Sequence, residues 1–297
     1  MDSDRRLLLR IGVIFPQNEI GTDPLALRDF AQAAEELGYS HLQAYDHVVG
    51  ADTRVRPGWD GPYDLHSLFH EPLVLFGYLA ALTKHIELVT GILILPQRQT
   101  VLVAKQVTEV DVLSGGRFRL GIGIGWNKVE YDALGCNFND RGKRSEEQIA
   151  LLRALFSRES VDFDGRWDHV EAAGINPLPV RRPIPIWIGG SSEAAVRRAA
   201  TIGDGWFPQV AAGELARSAV ARVRSYATAA GRDLARFGIE GGVDLAASKP
   251  DDWAREVEFW RALNVSHLRV VTMKAGFETP QAHIDAIRLF RESVPFD

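Results

Sequence analysis

Residues 86–124 read IELVTGILILPQRQTVLVAKQVTEVDVLSGGRFRLGIGI, and the division of this stretch decides the fold. An apolar, β-branched run (86–92) is followed by a segment of helical period (99–114), two glycines, and a second strand-like run (117–124). A strand, a helix and a strand in that order make a crossover unit, the connection that parallel strands require. In the second run Phe118, Leu120, Ile122 and Ile124 share one face, whereas the other face carries Gly121, Gly123 and then Gly125. Glycine weakens a strand interior, so this face marks a bulge or the close approach of another group.

Working outward, the same alternation recurs until eight strand-like runs are counted: 10–15, 41–46, 86–92, 117–124, 184–189, 205–208, 237–246 and 267–272. Helical segments are expected at 24–37, 72–83, 99–114, 143–157, 192–202, 213–230, 251–263 and 280–293. Pro24, Pro72 and Pro280 stand at first turns, and Gly38 stands just past an end. Eight strands, each followed by a helix, predict a (β/α)8 TIM barrel in the α/β class, as one domain over 1–297. The alternative is a doubly wound open sheet, which usually carries a phosphate loop after its first strand; "FPQNEIGTDP" offers none. Two long connections, 47–71 and 125–142, follow strands and belong at the catalytic rim of a barrel. A third, 158–183, follows a helix; its Asp164-Gly165 predicts a hairpin added to the bottom or side.

Composition narrows the function. A net charge of −5 with 46% hydrophobic residues fits an ordinary soluble globular protein and argues against nucleic acid as a partner. The lone Cys136 excludes an internal disulfide framework or a multi-cysteine zinc site and fits a cytoplasmic protein; its bland role is packing. The start reads as no signal peptide, and no apolar run reaches the ~18 residues of a membrane span.

In a barrel, chemistry belongs to the ends of strands. The second strand ends Asp46-His47, a carboxylate beside an imidazole that can bind a heterocycle or exchange a proton near neutral pH; the bland alternative is a capped turn. The third ends Thr90-Gly91-Ile92, either a plain bulge or one that presses against a flat ring. The fifth ends Gly189-Gly190-Ser191, a plausible phosphate cradle or simply a glycine-rich turn with a capping serine. Trp206, near the end of the sixth, can cover a ring or merely pack the barrel mouth. "GIGIG" does not match the dinucleotide fingerprint, no nucleophile elbow occurs, and His66 and His70 lack a second ligand cluster, so no metal is expected.

The segments "RIGVIFPQ", "AEELGYSHLQAYDHV", "ELVTGILILPQRQTVLVAKQVTEVDVLSGGRFRLGIGIGWNKVEYDALG" and "RPIPIWIGGSSEAAVRRAATIGDGWFP" resemble, in order and spacing, the bacterial luciferase-like monooxygenase family, in its flavin- or F420-dependent oxidoreductase branch. The resemblance implies a (β/α)8 barrel with coenzyme F420, alternatively FMN, at its C-terminal mouth, a small-molecule substrate and a homodimer. By position it implies that Asp46 and His47 contact the ring, and that Gly91-Ile92 form a bulge behind it, often on a non-proline cis peptide. It further implies that Gly125-Trp126-Asn127 enter the wall of the site, that Gly189-Gly190-Ser191 hold the phosphate, and that the glycine face leaves room under the ring. The activity implied is hydride transfer or oxygen activation, with His47 as acid or base and Glu130, just past the glycine strand, as the next candidate. The rivals are a non-catalytic flavin- or ligand-binding barrel and, more remotely, a metal-dependent aldolase or isomerase barrel.

Overall fold

A computed structural model describes residues 8–296. In chain order the described strands are β1 (Arg10–Ile14), β2 (His41–Ala44), β3 (Glu87–Thr90), β4 (Leu93–Ile94), β5 (Phe118–Gly123), β6 (Val161–Asp164), β7 (His169–Ala173), β8 (Ile186–Gly189), β9 (Gly205–Phe207), β10 (Gly238–Asp244) and β11 (His267–Val271). The helices are α1 (Pro24–Glu36), α2 (Pro72–Leu82), α3 (Thr100–Leu113), α4 (Lys128–Ala133), α5 (Arg141–Ser157), α6 (Glu193–Ile202), α7 (Glu214–Ala229), α8 (Pro250–Ala262) and α9 (Pro280–Ser293). Strands β1, β2, β3, β5, β8, β9, β10 and β11 form a closed parallel barrel surrounded by helices. All eight expected strands and all eight expected helices are present, within a few residues of the expected ends. Four helices begin with the proline at their first turn, at Pro24, Pro72, Pro250 and Pro280, where the missing amide costs nothing. No helix among the described residues is long and apolar enough to cross a membrane.

The described residues fall into two compact units. The first comprises residues 8–44, 85–89 and 187–296, and orders its parallel strands β3-β2-β1-β11-β10-β9-β8. Its interior contains a row in which Trp187 of β8, Gly205 of β9 and Gly238 of β10 lie side by side in register. The indole lies flat over both glycines: a Cβ at Gly205 would stand 2.3 Å from the ring, and one at Gly238 2.0 Å. The Glu240 carboxylate is buried in the same interior, one oxygen 3.2 Å from His41 Nε2 and the other 3.8 Å from Arg269.

The second unit comprises residues 45–84 and 90–186, with β4 paired in parallel to β5, Leu93 opposite Ile122 and Ile94 opposite Gly123. Phe118 meets Phe76 of α2 edge-on, ring centroids 6.2 Å apart, so its face of β5 looks to the helices and Gly121 and Gly123 look inward. The space those glycines leave is taken by neighbouring side chains. A Cβ at Gly123 would lie 2.4 Å from Ile92 Cδ1, and one at Gly125 2.8 Å from Ile94 Cγ2. Gly125 also turns the chain through φ +65°, a conformation glycine adopts without penalty.

The hairpin β6–β7 forms as expected, antiparallel, with Asp164 opposite His169. Its turn is gripped by Glu147, in the N-terminal half of α5, whose carboxylate accepts the amides of Arg166, Trp167 and Asp168 at 2.8–2.9 Å. Asp168 in turn accepts the hydroxyl of Thr100, the first residue of α3, at 2.7 Å. The turn of the hairpin is thus tied to both α5 and the start of α3.

The two glycine positions differ in what would have to yield. Gly238→Ala drives a methyl into a rigid, buried indole and is expected to cost about 1–3 kcal/mol in urea unfolding. Gly123→Ala meets Cδ1 and Cγ1 of the partly exposed Ile92, an aliphatic side chain that can rotate away, and is expected to cost clearly less in the same measurement.

Candidate functional site

Asp46 and His47 leave β2 in different directions. The Asp46 side chain turns inward and is 1% exposed; Oδ2 accepts the amide of Ile94 at 2.9 Å, and Oδ1 accepts a hydrogen bond from Nη2 of Arg98 at 2.8 Å. The other arm of Arg98 reaches Glu71, the cap of α2, at 2.9 Å. Burial pushes the Asp46 carboxyl above its ordinary value, opposed by the guanidinium and the Ile94 amide. Burial works against the Arg98 charge as well, but its two carboxylate partners outweigh this and hold its pKa above the usual value. With both oxygens engaged inside the protein, Asp46 braces the 93–98 segment.

His47 keeps an edge toward solvent, its side chain 11% exposed. Its ring sits among three aromatics, with centroids at 4.7 Å from Phe69, 5.2 Å from Tyr63 and 5.7 Å from Trp126. Trp59 continues the cluster, 5.8 Å from Trp126, and Gly61 lets the loop pass, since a Cβ there would meet both indoles within 2.7 Å. The long 47–71 connection therefore folds back on Trp126, which remains 39% exposed.

Behind His47 stands Glu130 of α4, fully buried. Its carboxylate takes the amides of Val48 and Val49 on Oε1, and Nε2 of Gln97 at 3.1 Å on Oε2, with Nδ1 of His47 3.4 Å away. Burial alone would raise its pKa, but the donors, led by His47 and the Val48 amide, outweigh it and hold the group below the usual carboxylate range. The carboxylate thus holds the start of the 47–71 connection and the Gln97 side chain together behind His47.

Other expected site residues are equally committed. The Thr90 hydroxyl donates to the Gly121 carbonyl at 2.7 Å and accepts the Gly121 amide at 2.8 Å, stitching the strands. Asn127 caps α4, accepting the Val129 amide at 3.1 Å, and its Nδ2 donates to the Val49 carbonyl at 3.5 Å. The Gly91–Ile92 peptide is cis, and Ile92 remains partly exposed beside Gly123. Among these, His47, Ile92 and Trp126 are the side chains left with an open edge.

In the first unit, Gly190 adopts φ +125°, and a Cβ there would stand 3.0 Å from Ala195, so the turn has no room for a side chain. Ser192, not Ser191, caps α6 by accepting the Ala195 amide at 3.3 Å. The Gly190 amide donates to the Phe207 carbonyl at 3.4 Å, which ties the turn to the end of β9. Trp206 is fully buried, and its indole N–H donates to the Gly190 carbonyl at 2.9 Å. It thereby ties β9 to the 189–191 turn.

Arg98, Gln97 and Glu71 were not singled out in the sequence. The available signal was a single arginine just past Pro96 in an apolar stretch, which burial obliges to find carboxylates. Replacing it tests the arrangement: Arg98→Met leaves the buried Asp46 without its countercharge and is expected to destabilise by about 3–5 kcal/mol near neutral pH. The Asp46 pKa then rises further above its unfolded value, so the folded state gains a proton the unfolded chain lacks. Stability therefore falls as pH rises through that window, and urea unfolding is expected to find a smaller deficit at about pH 5 than at about pH 8.

Comparison with known proteins adds the following. The family model described as luciferase-like monooxygenase matches residues 11–290. The F420-dependent hydroxymycolic acid dehydrogenase of Mycobacterium tuberculosis is 29% identical over 254 residues, covering 84% of this chain and 66% of that one. The FMNH2-dependent dimethylsulfone monooxygenase of Pseudomonas fluorescens is 30% identical over 205 residues, covering 68% of this chain and 52% of that one. Among solved structures, monooxygenase RslO1 from Streptomyces bottropensis superposes with a TM-score of 0.78 at 19% identity, over 96% of this chain and 98% of that chain.

Proposed function

This chain belongs to the luciferase-like monooxygenase family, and on that premise we propose that it is an F420-dependent oxidoreductase, with reduced FMN as the alternative cofactor, in which His47 handles the proton. The observation that carries the proposal is the imidazole at the end of β2, held from behind by Glu130 while its other edge stays open beside Trp126. Support for the cofactor class comes from the two relatives, one described as F420-dependent and one as FMNH2-dependent.

The residues present suit such a group. Ile92, seated over Gly123, and Trp126 offer apolar surface for a flat ring. The Gly189-Gly190-Ser191 turn, in which a Cβ would crowd Ala195, offers backbone at close range to a phosphate. When bound, F420 supplies hydride transfer at its ring C5, and reduced FMN supplies oxygen activation. The chain supplies orientation and the proton. Asp46 and Arg98 fix the segment that carries Ile92, and His47 gives or accepts the proton that balances the charge of the redox step. The substrate is a small molecule admitted past the 47–71 loop.

Titrating the cofactor-free protein separately with F420 and FMN, followed by fluorescence, is expected to give tighter binding of F420; binding of neither removes the proposal. His47→Asn is expected to leave cofactor affinity within a few fold and to lower turnover by ~10²- to 10⁴-fold, in half-reactions with surrogate donors or acceptors until the substrate is known. Full activity with collapsed binding would instead make His47 a cofactor clamp. Gly190→Glu, with its melting temperature checked, is expected to weaken cofactor binding at least tenfold, about 1.4 kcal/mol. An unchanged dissociation constant would move the phosphate elsewhere.

A further inference from the structure

Every group that surrounds the Glu130 carboxylate is, or can be, a donor. Two are backbone amides, Val48 and Val49, which can only donate, and both point at Oε1. Oε2 receives the Gln97 amide group at 3.1 Å and faces His47 Nδ1 at 3.4 Å. The Oε1 atom of Gln97 is itself buried without a partner, so nothing but Glu130 dictates which way that amide points. An ionised carboxylate in this position accepts and never donates. It therefore favours one of the two neutral forms of His47, the one with its proton on Nδ1.

We infer that Glu130 is a positioning residue that fixes the tautomer of His47, holding the proton on Nδ1 so that the Nε2 lone pair is the face offered to whatever binds beside Trp126. Its functional meaning rests on the proposed role of His47, whereas the tautomer itself is a property of the protein without cofactor. Glutamine at this position has one oxygen, not two. The Val48 and Val49 amides claim that oxygen, the –NH2 group then faces His47, Nδ1 must accept, and the proton moves to Nε2. Gln97 tolerates the exchange, because its unpartnered Oε1 can rotate to meet the new –NH2.

Long-range ¹H–¹⁵N correlation of histidine rings distinguishes the tautomers directly. It is recorded on the uniformly labelled full chain without cofactor at about pH 8.5, above the ordinary histidine range. The His47 signals are identified by their loss in His47→Asn. The expected result is a wild-type spectrum dominated by Nδ1–H, a tautomer ratio shifted at least tenfold toward Nε2–H in Glu130→Gln, and a partial return toward Nδ1–H in Glu130→Asp. Wild-type His47 protonated on Nε2, or a ratio unchanged in Glu130→Gln, overturns the assignment. Should Glu130→Gln fail to fold, the wild-type tautomer alone still decides. Nδ1–H in a protein that binds neither F420 nor FMN sustains the tautomer assignment and overturns the redox proposal, so the two fail separately.

Discussion

A carboxylate without water has to be met by donors, and the second unit is arranged around meeting one. Asp46 lies at the end of β2, and its donors come from the segment that follows β3: the Ile94 amide and, a few residues on, Arg98. Satisfying it pins that segment, and pinning the segment places Ile92 over Gly123 and Ile94 over Gly125. Arg98, drawn inward, needs a second carboxylate and finds it in the cap of α2. One buried charge thus sets the end of one strand, the course of the next connection and the start of a helix.

The two carboxylates near His47 have opposite environments. Asp46 has a guanidinium but lies so deep that burial dominates and its pKa rises. Glu130 is also enclosed, yet backbone amides and His47 converge on it, and its pKa falls. By linkage, the stability owed to Glu130 is present above the ordinary carboxylate range and is lost as pH falls through its depressed pKa. The Asp46 contribution runs the other way, fully present at low pH and lost as pH rises through its elevated pKa. Acidification therefore loosens the hold behind His47 while the contribution of Asp46 is retained.

The alternation of strand and helix was legible because its signals are local: apolar period, Pro72 at a first turn, Gly115-Gly116 ahead of β5. The position of Asp46-His47 was legible for the same reason, as the end of an apolar run. Their separate fates were not, since these depend on Arg98, 52 residues further along, and on Gln97 and Glu130. The glycine face of β5 announced an absence without naming its occupant, because Ile92 reaches it only once β4 has paired with β5. The partner of Trp206 was not legible either: its indole N–H meets the carbonyl of Gly190, 16 residues earlier, which no local pattern names.

The hairpin has a consequence for how the chain can change over time. Its strands are largely exposed, yet its turn is tied by Glu147 and, through Asp168, to Thr100. Gln148 donates both to that threonine and to the Arg98 carbonyl, each at 3.0 Å, so the tie ends on the residue that braces Asp46. Substitutions along the strands of the hairpin are free to accumulate. Those at Glu147, Gln148, Asp168 and Thr100 can be accepted only in concert, which makes a peripheral insertion a slow-drifting part of the scaffold.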